Sequence, residues 1–220
     1  VRTKFSSELA ALTEELAGLA SLAQESTERV AVAVTEANLT AAYEVFAIDE
    51  QLRQRHGACE NRAVILLALE APVARDLRQV VSAMQIGDDL AQMSWLTSRI
   101  ADRVVHHYPA PVAPADIISV LGEIGHATAE LAAVAQRAIA AHNPAADDPP
   151  VLPDRTLADA RQRLLQSVSD PDWPHGHVMA VDLALLVHHY ERCAEHCVRI
   201  GRLIRFFHTG LPLSAQTPED

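Results

Sequence analysis

Near the C-terminus the chain carries side chains with both the chemistry and the spacing of a metal site. His189, Cys193 and Cys197 recur at four-residue intervals, so on a helix they share one face, with His196 beside them. Imidazole and thiolate are the ligands zinc prefers. The two cysteines also fall on an apolar stripe, where free cysteine packs as a small hydrophobe, and the stripe favours core packing. A second motif, Glu123-Ile124-Gly125-His126, is a lone E-x-x-H. A di-iron bundle needs two such motifs and two further glutamates, so a ferritin-like oxidase is disfavoured. The 11 histidines, with the pairs His106-His107 and His188-His189, are many for 220 residues. They are candidates for pH sensing, but solvated helix ends explain most of them. Trp95 and Trp173 read as packing residues rather than ligand platforms.

Catalysis finds no positive support. There is no G-x-S-x-G, no Gly-rich phosphate loop and no kinase signature. With 8 glycines, the chain has little material for backbone nests that cradle phosphate. Lys4 is the only lysine, which removes lysine chemistry from the rest of the sequence. The chain is therefore read as a non-enzyme. The balance of 18 basic against 29 acidic residues, a net charge of −11, argues against nucleic acid and against anionic lipid. Cys59, Cys193 and Cys197 form no secreted disulfide framework and suit a reduced, cytosolic setting. The N-terminal residues lack an apolar leader core. The longest sharp apolar run, from Ala63 to Leu69, is far shorter than the ~20 residues of a membrane span. A soluble, cytoplasmic protein is expected, with any membrane role exerted through a partner.

These side chains must be positioned by helices. Twelve prolines leave long proline-free tracts, and proline belongs to first turns and connections. Within the tracts, apolar residues recur three and four apart, as in Phe5, Leu9, Leu12, Leu16 and Leu19. Asn38 is a plausible cap that breaks the first tract in two. Six helices follow, at 4–36, 39–70, 73–107, 115–142, 154–169 and 175–208, packed as an all-α bundle. The stripe Ile86, Leu90, Met93, Thr97, Ile100, Val104 returns a hundred residues later as Leu186, Tyr190, Cys193, Cys197, Ile200, Ile204, each after a proline (Pro72, Pro174). The match predicts a duplicated three-helix unit, 1–108 and 109–212. The Pro/Asp-rich connector 145–153 predicts a shortened fifth helix and a locally mobile loop, and the tail 213–220 is expected to be disordered.

Several segments resemble the PhoU family. They are Arg2-Thr3-Lys4-Phe5 with Glu8-Leu9; Leu67-Ala68-Leu69-Glu70-Ala71-Pro72-Val73-Ala74-Arg75-Asp76-Leu77-Arg78; His189-Tyr190-Glu191-Arg192-Cys193-Ala194-Glu195-His196; and Phe206-Phe207-His208-Thr209-Gly210. The resemblance implies two three-helix PhoU repeats. It also implies a negative regulator of phosphate uptake and the phosphate-starvation response, acting between the phosphate ABC transporter and a sensor histidine kinase. A homodimer is a further expectation carried by the family.

The family's E-x-x-x-D-x-x-x-N stripe, a metal-binding face in many members, is eroded here. In the second repeat it reads Glu191, Glu195, Arg199, and in the first Ala91, Trp95, Arg99. Trp95 is expected to fill the space of the lost ligand. Asp49 matches an acidic position of the family and Asp154 matches one loosely, while Asp88 and Asp89 lie out of register with the lost carboxylate. No metal is expected at the first repeat. At the second, Glu191, Glu195 and Asp154 could hold one divalent cation (Zn, Fe, Mg or Mn). The favoured alternative is that Glu191 and Glu195 pair with Arg192, Arg199 or other arginines. Arg75, Asp76 and Arg78 are candidate partner contacts, or else pairs within their own helix. The competing functional readings are a metal store or metal-dependent enzyme built on Glu191 and Glu195, and a helical scaffold with a different partner.

Overall fold

The computed structural model describes residues 2–141 and 155–216. Among them are six helices and no strand: α1 (Arg2–Glu36), α2 (Leu39–Glu70), α3 (Ala74–His107), α4 (Ala115–Ala140), α5 (Arg155–Val168) and α6 (Gly176–Thr209). The sequence boundaries agree to within two residues. The reasons are local. The Asn38 side chain accepts a hydrogen bond from the Ala41 backbone N–H at 3.0 Å, capping α2 one residue after Ala37 turns the chain left-handed (φ 49°). Pro72 bars continuation of α2, which ends on left-handed Ala71. Gly210, at φ 77°, closes α6 in the conformation that favours glycine.

Helices α1, α2 and α3 pack against one another, and α4, α5 and α6 do so in turn. The triplets meet through α1 against α4 and α3 against α6. The pairs Gln85–Arg199 and Arg103–Asp182 show that α3 and α6 run antiparallel. At the middle of that seam the Cys193 thiol lies 3.8 Å from the Met93 carbonyl oxygen, and the two residues are 100 positions apart. One apolar core, with Leu19, Leu52, Ile100, Leu121, Leu164 and Leu183 fully buried, draws on all six helices.

Three features depart from the sequence reading or complete it. The fifth helix is short, 14 residues against 32 in α2; the connector 145–153 lies outside the described residues. The tail is not disordered as far as Gln216. Leu213–Ala215 form a 3-10 turn, and Gln216 is buried. Arg202 donates to the carbonyl oxygens of Leu213 and Gln216, while the Gln216 amide donates back to the Arg202 carbonyl. Residues 217–220 lie outside the described residues. Finally, α4 is long and apolar enough to cross a membrane by length and composition, although half of that stretch is buried in the bundle. Its apolarity is that of a helix with α1, α5 and α6 packed around it.

Candidate functional site: the α3–α6 seam and its flanks

The residues singled out for metal chemistry lie along α3 and α6. In the second triplet, α5 reaches α6 through Arg161, whose guanidinium pairs with Glu191, and Glu195 pairs with Arg192 one turn away. Each carboxylate is already neutralised by a fixed cation, so neither offers the open, charge-hungry oxygen a hard metal ion needs. Asp154 lies outside the described residues. Among those described, no group of three His, Cys, Asp or Glu side chains is placed to hold a metal ion. The described side chains do not fit a metal cluster.

The first triplet carries Ala91, Trp95 and Arg99 along the stripe of α3. Asp49 on α2 remains, but it accepts a hydrogen bond from the Ser94 hydroxyl at 3.0 Å and faces Arg53 at 3.5 Å. Trp95 does not fill an interior space. It is 46% exposed, with the Arg99 guanidinium 5.2 Å above its ring and the His189 ring edge-on at 6.5 Å.

The seam holds what the sequence reading missed. Asp89 is buried, with a side chain 4% exposed. One of its oxygens accepts from His196 Nδ1 at 2.8 Å and the other from Arg199 Nη1 at 2.5 Å. Arg199 continues to the Gln85 amide oxygen at 3.4 Å. A carboxylate from one triplet is therefore held by an imidazole and a guanidinium from the other. A buried carboxylate is tolerated only when paired and hydrogen-bonded in this way. Asp88, its neighbour, turns outward toward His56, at 3.1 Å. The available signal was Asp89 itself, a charge wedged against the apolar stripe of α3 between Ile86, Leu90 and Met93.

The possible zinc ligands are dispersed by function. Cys193 and Cys197 are completely buried; burial pushes the Cys197 thiol up to about 12 and raises that of Cys193 as well. Thiols so protonated are neither nucleophiles nor ready ligands, and Cys197 packs 3.9 Å from the Met93 sulfur. His196 is committed to Asp89. In the E-x-x-H motif, Glu123 pairs with Arg163 on α5, and His126 faces Glu130 on the surface at 3.3 Å.

Arg75, Asp76 and Arg78 stand at the first turns of α3. Arg75 lies 5.5 Å from the centre of the Phe207 ring, and Arg78 Nε donates to the Phe207 carbonyl oxygen at 3.4 Å. Both arginines thus reach the end of α6. Around this corner the large apolar side chains of Ile65, Leu69, Val73 and Leu77 are exposed, Leu69 and Val73 by about three-quarters.

The profile of the PhoU domain matches residues 16–104. The phosphate-specific transport system accessory protein PhoU homolog 2 of Mycobacterium tuberculosis is 33% identical over 210 residues, covering 96% of this chain and 99% of that protein. PhoU homolog 1 of Mycobacterium leprae is also 33% identical, over 96% of this chain and 95% of its own length. The crystal structure of PhoU from Pseudomonas aeruginosa superimposes with a TM-score of 0.72 at 19% identity, covering 94% of this chain and 99% of that one.

Proposed function

This chain belongs to the PhoU family, and from that membership we propose that it is an accessory regulator of phosphate transport that works by docking. The observation that carries the reading is the near end-to-end likeness to proteins named as accessories of the phosphate-specific transport system. The division into repeats at 108/109 is part of the proposal. So is a cytoplasmic setting, from which the chain reaches the membrane through its partners.

The partners are the ATPase of the phosphate ABC transporter and a sensor histidine kinase, and the output is restraint of phosphate uptake and of the starvation response. Binding can exert such restraint without chemistry. A protein that prefers one conformational state of its partner shifts that partner's population by its differential affinity. The α2–α3 corner is the proposed contact. It offers a rigid apolar surface (Ile65, Leu69, Val73, Leu77) rimmed by Arg75, Asp76 and Arg78, the composition of an interface core with a polar rim. Assembly as a homodimer is part of the same proposal.

The test is co-purification of the full chain with each partner. Leu69→Asp, on an exposed position, is expected to abolish capture while leaving the thermal melt unchanged. Capture of neither partner by the native chain overturns the reading, and capture that survives Leu69→Asp moves the contact elsewhere. In cells, deletion is expected to leave the starvation response switched on in phosphate-replete medium.

A further inference from the structure

Between Asp172 and Glu191 the sequence holds one charged residue, Asp182. Elsewhere charge is frequent: 21% of the residues are charged, with a net sum of −11. This stretch contains the first half of α6. Asp182 turns toward α3 and pairs with Arg103 at 3.2 Å, so its charge is balanced there. The outward face carries Val178, Val181 and Leu185, three and four apart on one side of the helix. They are 66%, 57% and 41% exposed. Trp95 borders them from α3, where it meets His189.

The bundle does not demand an apolar face here. A hundred residues earlier, α3 carries Arg78, Val81 and Gln85 in place of Val178, Val181 and Leu185, and Val81 is half-buried. Contiguous exposed apolar side chains mark an interaction surface. The strip is also remote from the α2–α3 corner. Arg103 marks its level on α3, and about 40 Å of helix rise separates Arg103 from Arg75.

Charge identifies what covers the strip. Two copies of a chain with a net charge of −11 repel each other, so they approach most closely where neither surface is charged. The two ends of the strip carry opposite signs. Asp172 stands exposed before α6, and Arg192, which also holds Glu195, follows Leu185 by seven residues on the same face. Laid antiparallel about a twofold axis near Val181, two strips match their apolar middles and bring each Arg192 toward Asp172 of the other copy. We propose that this strip is the contact between two copies of the chain, an isologous pairing of α6 against α6. The inference rests on the dimer reading above and names its surface, and it leaves both α2–α3 corners open. The strip is about 25 Å long and, with α3 beside it, about 20 Å wide, a footprint of about 500 Å² on each copy. The pair then buries about 1,000 Å², near the lower bound for a specific interface, so association is reversible and micromolar.

Sedimentation velocity of the full chain from about 1 to about 200 µM tests the assignment. The native chain is expected to pass from monomer to dimer with a midpoint on the order of 10 µM. Val181→Glu buries an unpaired charge in the contact and should weaken the dimer about tenfold or more without moving the thermal melt. Val178→Glu, at the most exposed position of the strip, covers the case in which Val181→Glu does not fold. Arg192→Glu and Asp172→Arg should each weaken the dimer about fivefold, since each contact occurs twice. The two substitutions together should restore it, because the swapped charges meet across the axis. A native chain that stays monomeric overturns the proposal and assigns the strip to a different partner. A dimer that survives both glutamate substitutions, or a charge swap that restores nothing, overturns it as well. Leu69→Asp is expected to leave the dimer intact, so loss of partner capture and loss of the dimer are read separately; a dimer lost in Leu69→Asp would put the second copy at the α2–α3 corner and overturn the assignment.

Discussion

The two helical triplets handle charge in different ways. In the first, a 32-residue α2 flanks α3, whose stripe carries Ala91 and Trp95, with Arg99 laid over the indole. In the second, α5 is less than half as long. The carboxylates Glu191 and Glu195 remain, each held by an arginine. One face bears no carboxylate at these positions, and the other pairs its carboxylates with arginines. Neither arrangement leaves an unpaired carboxylate at these positions, and the two differ in what each should cost to undo.

The largest effect is expected where the halves meet. Asp89→Ala strands a largely buried His196 and half of the Arg199 contact, and should cost about 3 kcal/mol in urea melts, the low end for a broken buried pair because Arg199 is partly solvated. Its mate a hundred positions on, His189→Ala, should cost no more than about 1 kcal/mol. Equal losses at the two positions would show that the seam is more symmetric than its side chains. Next in size is Arg202→Ala, which unties the terminal turn from α6 and should cost about 1.5 kcal/mol. A melt unchanged by that substitution would mean the turn adds nothing to stability.

Tyr190 stands a hundred residues after Leu90, but its hydroxyl is fully buried without a partner. Tyr190→Phe is expected to raise stability by about 1 kcal/mol, since an unsatisfied buried hydroxyl is a net cost; a loss on this substitution would reveal a hidden partner. Glu191→Gln and Glu195→Gln remove half-exposed ion pairs and should each change stability by less than about 1 kcal/mol. Adding zinc, iron, manganese or magnesium should leave the melting temperature where it is. A rise that grows with metal concentration is the signature of binding to the folded state, and it would restore the second repeat as a metal site.

The smallest effect is in pH. Burial, then the neighbouring His188, Arg103 and Arg99, hold the His189 pKa below its ordinary 6.5. The folded chain therefore takes up this proton less readily than the unfolded one. Its contribution is complete above about pH 6.5 and is lost as pH falls from there toward the lower folded value. Melting temperatures between pH 7.5 and 5.5 should fall less steeply in His189→Gln than in the native chain, and identical slopes would remove His189 from the account.

The helices could be read from the sequence because their causes are local. Prolines at 72, 114 and 174 and the Asn38 cap act within a few residues of themselves. The hundred-residue recurrence was readable for the same reason, since helical period is written in every turn. The Asp89 cluster was not, because its meaning depends on His196 and Arg199, which reach it only after α6 has packed. Asp89 was judged against the spacing of a metal stripe, whereas its environment is set by the facing helix. Trp95 was misplaced on similar grounds: a large aromatic suggests filled space, and only the neighbouring Arg99 and His189 show why it can lie on the surface. The ordered tail turn depends on Arg202, a residue with no distinguishing mark in the sequence.

The meeting of Met93 with Cys193 has a temporal corollary. As the polypeptide leaves the ribosome, α1, α2 and α3 emerge first, and the face of α3 that α6 will cover stays in contact with water throughout the making of α4 and α5. Helix α6, made after α1 to α5, is the one that dries the middle of the bundle. Nascent chains stalled before residue 176 therefore display an apolar strip on α3 that α6 later conceals.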